Sequence, residues 1–285
     1  MGICKYCSKP AGLFRDRHKE CEEKFLEEKR RKEVKAESDK KEIISVAEAV
    51  ALGKCTIEEL KTKLMSISES FDEFNRKRFL IEAWERAANH CLEESILSKE
   101  EESSLMAFLN AFSMKQDDAD HEGAYTKLAQ AAILRDLMEG KVPQRMTVQG
   151  SLPFIFKKDE KLVWLFKGVK YFEPKTTRSF VGGSHGVSIR IARGIYYRVG
   201  AFKGHPVETT QTMQLDTGML GITDQHIYFA GGAISFRVPY GKIVTVTPHS
   251  DGISIQRDAA NAKPQSFIVG DGWFINNLVA NLSKL

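Results

Sequence analysis

Two hydrophobic periods divide the chain. From residue 43 to 141 apolar positions recur three and four apart, the spacing of a helix face. Ile43, Ile44, Ala47, Val50 and Ala51 form one such face, ending near Gly53. Thr56 with Glu59 reads as a capping box, and Ile57, Leu60 and Leu64 follow it. Phe71, Phe74, Phe79, Ala83, Ala87 and Cys91 predict a longer helix with a buried stripe. Ser98 with Glu101 is a second capping box, ahead of Leu105, Phe108, Leu109 and Phe112. Tyr125, Leu128, Ala132, Leu137 and Met138 mark a last helix, closed by Gly140 and Pro143. Helices of this kind joined by short loops predict a small bundle.

Beyond residues 142–153, which read as a linker, the period falls to two. Strand patterns occupy residues 154–156, 162–166, 169–172, 187–191 and 195–199. They continue over 220–229, 235–246, 252–257 and 267–269. Residues 157–160 read as a polar, hairpin-like interruption, and the glycine-rich stretches 182–186 and 231–232 as turns. Over residues 273–282 the helical spacing returns. Trp164, Tyr228, Tyr240 and Trp273 read as core aromatics.

Charge changes this picture at the N-terminus. Residues 20–42 carry few apolar positions, and good helix formers fill the run. That reads as a solvated helical linker, with Lys29, Arg30, Arg31 and Lys32 as its basic patch. The net charge of +4 is unevenly spread: +3 over residues 1–42, −6 over 43–150 and +7 over 151–285. A basic C-terminal part is suited to phosphates, anionic lipid or an acidic protein surface. Mean hydropathy of −0.31 and short apolar runs predict no membrane span. The charged, cysteine-bearing N-terminus predicts a cytoplasmic protein, with peripheral membrane contact as its one link to lipid. Five cysteines argue against a disulfide framework.

Four of the first residues carry metal chemistry: Cys4, Cys7, His18 and Cys21, spaced x2, x10 and x2. Thiolates and imidazole are the ligands of tetrahedral zinc, and each two-residue spacer lets a pair reach one ion. The first pair suits a tight turn, the second the first turn of a helix. Four protein ligands leave no open position, so the expected Zn2+ is structural. The segment resembles short zinc-ribbon or treble-clef modules. Two acidic clusters, Glu93 and Glu94 with Glu100 to Glu102, and residues 117–122, read as helix N-terminal charge rather than cation sites.

Two further resemblances follow from longer phrases. Residues 88–105 resemble the helical domain of TerB-type tellurite-resistance proteins, which implies an all-helical fold in a stress-response or defence setting. Three phrases look like the core of bacterial pleckstrin-homology and GRAM-like domains. They are Gly218-Met-Leu-Gly-Ile-Thr-Asp-Gln-His-Ile-Tyr-Phe-Ala-Gly231, Phe236-Arg-Val-Pro-Tyr-Gly-Lys-Ile-Val244 and Asp251-Gly-Ile-Ser-Ile-Gln-Arg257. That resemblance implies an open β-barrel plugged by a C-terminal helix, binding phosphoinositide, protein or peptide. No compact Lys-x-Arg pair stands in the first hairpin, where phosphoinositide binding would need it.

The expected fold class is multidomain, α plus all-β. A zinc module covers 1–24, a charged helical linker 25–42 and a helical bundle 43–141. A linker at 142–153 leads to the pleckstrin-homology/GRAM-like β domain at 154–285. Arg190, Arg193, Arg198 and Lys203 are the candidate ligand-binding residues. No Walker, Rossmann or His-Glu-x-x-His pattern occurs, and Ser184 beside His185 cannot pair as strand neighbours. The expected function is a non-enzymatic adaptor that docks a protein partner or an anionic membrane surface. Two alternatives remain: a nucleic-acid-binding factor using the zinc module and basic helix, and a hydrolase built on His185, His205, His226 and His249.

Overall fold

The structure is a computed structural model. It describes residues 2–12, 15–67, 71–94, 96–148, 150–192 and 195–285, and their side chains apart from residues 94 and 177–208. The chain divides into two compact units, Met1–Arg135 and Asp136–Leu285.

The first unit opens with a two-stranded ribbon, β1 (Gly2–Ile3) and β2 (Pro10–Gly12), followed by the 33-residue helix α1 (Lys19–Ala51). The boundaries drawn at 24 and 42 both fall inside α1. No proline or glycine interrupts residues 19–51, and Glu28–Lys32, Lys29–Glu33 and Glu37–Lys41 pair one turn apart along the exposed stretch. Such pairs support a helix that has nothing to pack against. From Ile43 onward α1 becomes amphipathic and buries Ile43, Ile44, Ala47, Val50 and Ala51.

Helices α2 (Ile57–Ser66), α3 (Glu73–Glu94), α4 (Lys99–Ala111), α5 (Gln116–Ala119) and α6 (Ala124–Met138) complete the helical series. Both capping boxes form: Thr56 accepts from the Glu59 N–H, Ser98 accepts from the Glu101 N–H, and each glutamate reaches back to the cap. Trp84 is fully buried and donates to the Leu105 carbonyl at 2.9 Å. Cys91 is core as well. Phe74 departs from the expected stripe and is 71% exposed. The buried face of α3 runs through Phe79, Ala83, Ala87 and Cys91, with Leu80, Trp84 and Ala88 beside it, and Phe74 lies out of that phase.

The second unit is a curled, antiparallel half-barrel of seven strands in the order β6-β5-β4-β3-β9-β8-β7, an arrangement compatible with a pleckstrin-homology-like fold. The strands are β3 (Leu162–Ala192), β4 (Ile195–Thr223), β5 (His226–Gly231), β6 (Ser235–Pro239), β7 (Ile243–Pro248), β8 (Gly252–Arg257) and β9 (Gln265–Ile268). A short 3-10 turn, Tyr240–Lys242, joins β6 to β7, and α7 (Gly272–Leu282) closes the chain against β7 and β8. An aromatic core of Tyr171, Phe229, Phe236 and Phe267 fills the curl. Phe274 of α7 packs its ring 5.1 Å from that of Trp164.

Several local expectations change. Residues 154–156 form no strand. The run 220–229 is a hairpin, because Thr223 Oγ1 accepts the N–H groups of Gln225 and His226 and turns the chain there. Gly182 to Gly186 lie within β3, opposite Gly204 to Gly200 of β4, rather than in a turn. Trp273 is 68% exposed. The buried positions of α7 are Phe274, Ile275, Leu278, Val279 and Leu282, and Trp273 falls on the opposite face. Trp164 and Tyr240 are half-buried, while Tyr228 is buried.

Candidate metal centre

The ribbon and the start of α1 bring Cys4, Cys7, His18 and Cys21 together. Their ligand atoms all lie within 4.8 Å of one another, and no other such group of three or more occurs among the described residues. A tight turn carries the first pair. The Ser8 N–H closes on the Cys4 carbonyl at 2.8 Å, and Ser8 takes a left-handed conformation at φ 57°. The Cys4 N–H donates to the Lys9 carbonyl, and the Lys5 N–H to the Asp16 carbonyl, tying the turn to the approach to α1. His18 stands at the N-cap and makes no capping bond with its side chain. Its ring is committed to the cluster instead. Cys21 lies three residues on, in the first helical turn.

Three observations fit this cluster to a tetrahedral ion. First, His18 Nδ1 lies 3.4 Å from Cys7 Sγ and 3.7 Å from Cys21 Sγ. Bond lengths of zinc to sulfur and nitrogen place such neighbours about 3.6 Å apart in a tetrahedron. Second, His18 Nε2 lies 3.0 Å from the Pro10 carbonyl oxygen. A carbonyl only accepts, so Nε2 carries the proton and Nδ1 presents its lone pair to the cluster. Third, the buried Cys4 sulfur accepts the His18 backbone N–H at 3.4 Å.

The thiols already respond to one another. Burial opposes ionisation of Cys4, but N–H groups of His18, Tyr6 and Cys7 and the Cys7 side chain outweigh it and bring the thiol down to about 6. A hydrogen bond with Cys7, then burial, then the charge of Cys7 push Cys21 up to about 11. Three sulfurs crowded without a cation cannot all ionise cheaply; a bound metal removes that conflict.

The other predicted positions differ in kind. Arg193 lies outside the described residues, as do the side chains of Arg190, Arg198, Lys203, His185 and His205. The acidic clusters serve the fold: Glu101 caps α4, Glu102 meets Arg135 at 2.6 Å, Asp118 meets Lys77 at 2.8 Å and Asp120 holds Thr126. Hydrogen bonds from Lys77 and the Lys115 N–H hold the Asp118 carboxyl below its usual range.

A buried polar cluster in the half-barrel escaped the sequence reading. The Glu160 side chain is fully buried. It takes Thr223 Oγ1 at 2.5 Å, His226 Nδ1 at 2.8 Å, Tyr228 OH at 2.7 Å and the Lys157 N–H at 2.8 Å. Burial disfavours the ionised Glu160, and these donors reverse the balance and lower its pKa. Phe154 and Phe156 pack their rings on Tyr228 and cover the cluster. His249 sits elsewhere in the sheet's bonding: its Nε2 lies 2.7 Å from Ser254 Oγ. Asp216 was missed too. It accepts the N–H groups of Ala233, Ile234, Thr217 and Gly232, which lower its pKa and fold the β5–β6 turn around it.

In comparisons with known proteins, no family model matches the chain and no curated protein matches it.

Proposed function

We propose that the chain is a non-enzymatic binding or adaptor protein. Zinc locks its N-terminal cluster, and the curled sheet docks a protein partner or an anionic membrane surface. The observation that carries this reading is the completeness of the donor set. Three thiols and one imidazole at tetrahedral spacing use every position of a zinc ion and leave none for substrate or water. The strand order and the closing helix α7 support the pleckstrin-homology/GRAM-like reading of the second unit. Its excess of basic residues suits an acidic surface.

Two of the four candidate histidines have described side chains. His249 reaches a serine hydroxyl, but among the described residues no carboxylate bonds its other ring nitrogen. His226 is oriented by Glu160, but no serine or cysteine stands at its free nitrogen among the described residues. The nucleic-acid reading is weakened because Lys29 and Lys32 already pair with Glu33 and Glu28.

The test uses the full zinc-loaded chain. It is sedimented with phosphatidylcholine vesicles carrying phosphatidylserine, and separately offered immobilised to an extract of its own cells. Saturable binding in one arm, retained at physiological salt, is the expected result. Loss of all binding at that salt in both arms would overturn the docking reading.

A further inference from the structure

The seven-stranded sheet does not close on itself. Its two edges are β6 and β7, and the turn Tyr240–Lys242 spans the gap between them. A groove of about 500 Å³ opens at this seam, walled by the end of β6, the turn, the end of β8 and the loop after it. Arg237, Lys242 and Arg257 line it from three separate elements. Asp258 lines it too, as the single carboxylate.

Asp258 is the one acidic side chain lining the groove beside these three cations. None of the three forms an ion pair with a carboxylate among the described residues. Arg237 meets the Tyr228 phenol. Arg257 is the least ordinary of them. It follows Ile253 and Ile255 at alternate positions of β8, on the face that packs into the curl. Its Nε is buried and has no hydrogen-bond partner among the described residues. A guanidinium held partly out of water without an acceptor is costly, and an arriving anion removes that cost. The loop adds neutral donors. Its residues Ala260 and Asn261 are small and exposed, so a ligand can approach the backbone closely.

We propose that this seam is a binding site for a dianionic phosphate group, anchored by Arg257 and flanked by Arg237 and Lys242. Three cations against one carboxylate match a phosphate monoester, which carries close to two negative charges at neutral pH, better than a singly charged carboxylate. The planar guanidinium also fits a phosphate's paired oxygens. The groove is open rather than enclosed, so it accepts a terminal phosphate on a larger body. Either a soluble phosphate compound or a lipid headgroup presents that chemistry. This rests on the docking reading of the second unit and gives that surface a ligand class and a place.

The test again uses the full zinc-loaded chain. Inorganic pyrophosphate is titrated calorimetrically. In parallel the protein is sedimented with phosphatidylcholine vesicles containing phosphatidic acid, a monoester, or phosphatidylserine at matched surface charge. Saturable one-to-one binding of pyrophosphate alone identifies a soluble source; preference for phosphatidic acid over phosphatidylserine identifies a lipid. Arg257→Met should weaken either by about tenfold or more while leaving the thermal midpoint unchanged or raised. If that variant fails to fold, Arg237→Gln with Lys242→Gln decides, since both side chains are exposed. No saturable binding of either phosphate probe, or binding that survives these substitutions, would overturn the site. Docking to phosphatidylserine vesicles or to a captured partner that survives them would leave the docking reading standing and the groove assignment wrong.

Discussion

A fully buried carboxylate persists in a fold only where protein donors replace its water. Glu160 has four such donors, and they hold its pKa below the ordinary carboxylate range despite burial. The sign of the linkage follows. A group that ionises more readily when folded contributes its full stabilisation above its unfolded pKa and loses it as pH falls through the lower folded value. Urea unfolding of the wild type should therefore weaken as pH falls below the ordinary carboxylate range and through the lower folded value. Glu160→Gln should flatten that part of the profile and cost about 2 kcal/mol at pH 7, because an amide nitrogen faces donors. Equal acid slopes in the two proteins would exclude Glu160 as the source. The residue was illegible in the sequence for a simple reason. Its partners Thr223, His226 and Tyr228 stand 63 to 68 positions away, and Glu160 itself looks like part of a polar turn. The Cys4, Cys7, His18 and Cys21 set was legible because its chemistry is rare and its members share 18 residues. No such local signal pointed to Arg257, whose significance comes from the strand face it occupies and the seam it reaches.

At the scale of elements, the same division holds between local and distant causes. The two capping boxes were readable because a cap and its N3 partner lie three residues apart. Thr56→Ala and Ser98→Ala should each cost about 1 kcal/mol, seen as lower urea midpoints with unchanged slope. A loss no larger than that at an exposed control serine would refute the caps. The aromatic side chains show the opposite case. Phe74 and Trp273 read as core because large apolar residues are more often buried than not, yet 71% and 68% of their surfaces are exposed. Which face of α3 or α7 turns inward is decided by neighbouring elements, and an apolar residue one step out of phase is carried outside. The charged stretch of α1 shows why element boundaries are hard to place. Composition shifts at residues 25 and 43, but the backbone has no reason to break there, since neither glycine nor proline intervenes and charge pairs sustain the helix between them. In the half-barrel, alternation revealed strands but not where one ended, so a two-residue turn at Asp224 and Gln225 passed for continuous strand.

For the molecule as a whole, the candidate metal centre and the two hydrophobic cores answer to different forces. The core of the first unit begins at Ile43, whereas the candidate metal ligands lie at residues 4–21. About 20 exposed helical residues separate them, roughly 30 Å along the axis. Among the described residues the core cluster contains none from the ribbon, and the Tyr6 ring lies against Phe25, with centroids 4.9 Å apart. Metal removal should then have a confined effect. A strong chelator is expected to release one metal ion per chain, to open the N-terminal segment and the first turns of α1 to protease, and to leave the main thermal transition of the bundle and sheet nearly unmoved. Cys7→Ser should reproduce the protease pattern without chelator. Acid should compete with the metal, because Cys21, pushed up to about 11 in the metal-free chain, must give up its proton to bind. Release of metal on lowering the pH, before the bundle unfolds, is the expected order. A collapse of the whole thermal transition on chelation would mean instead that the centre is coupled to the cores through α1. The charge-paired helix would then act as a rigid connection rather than a solvated spacer.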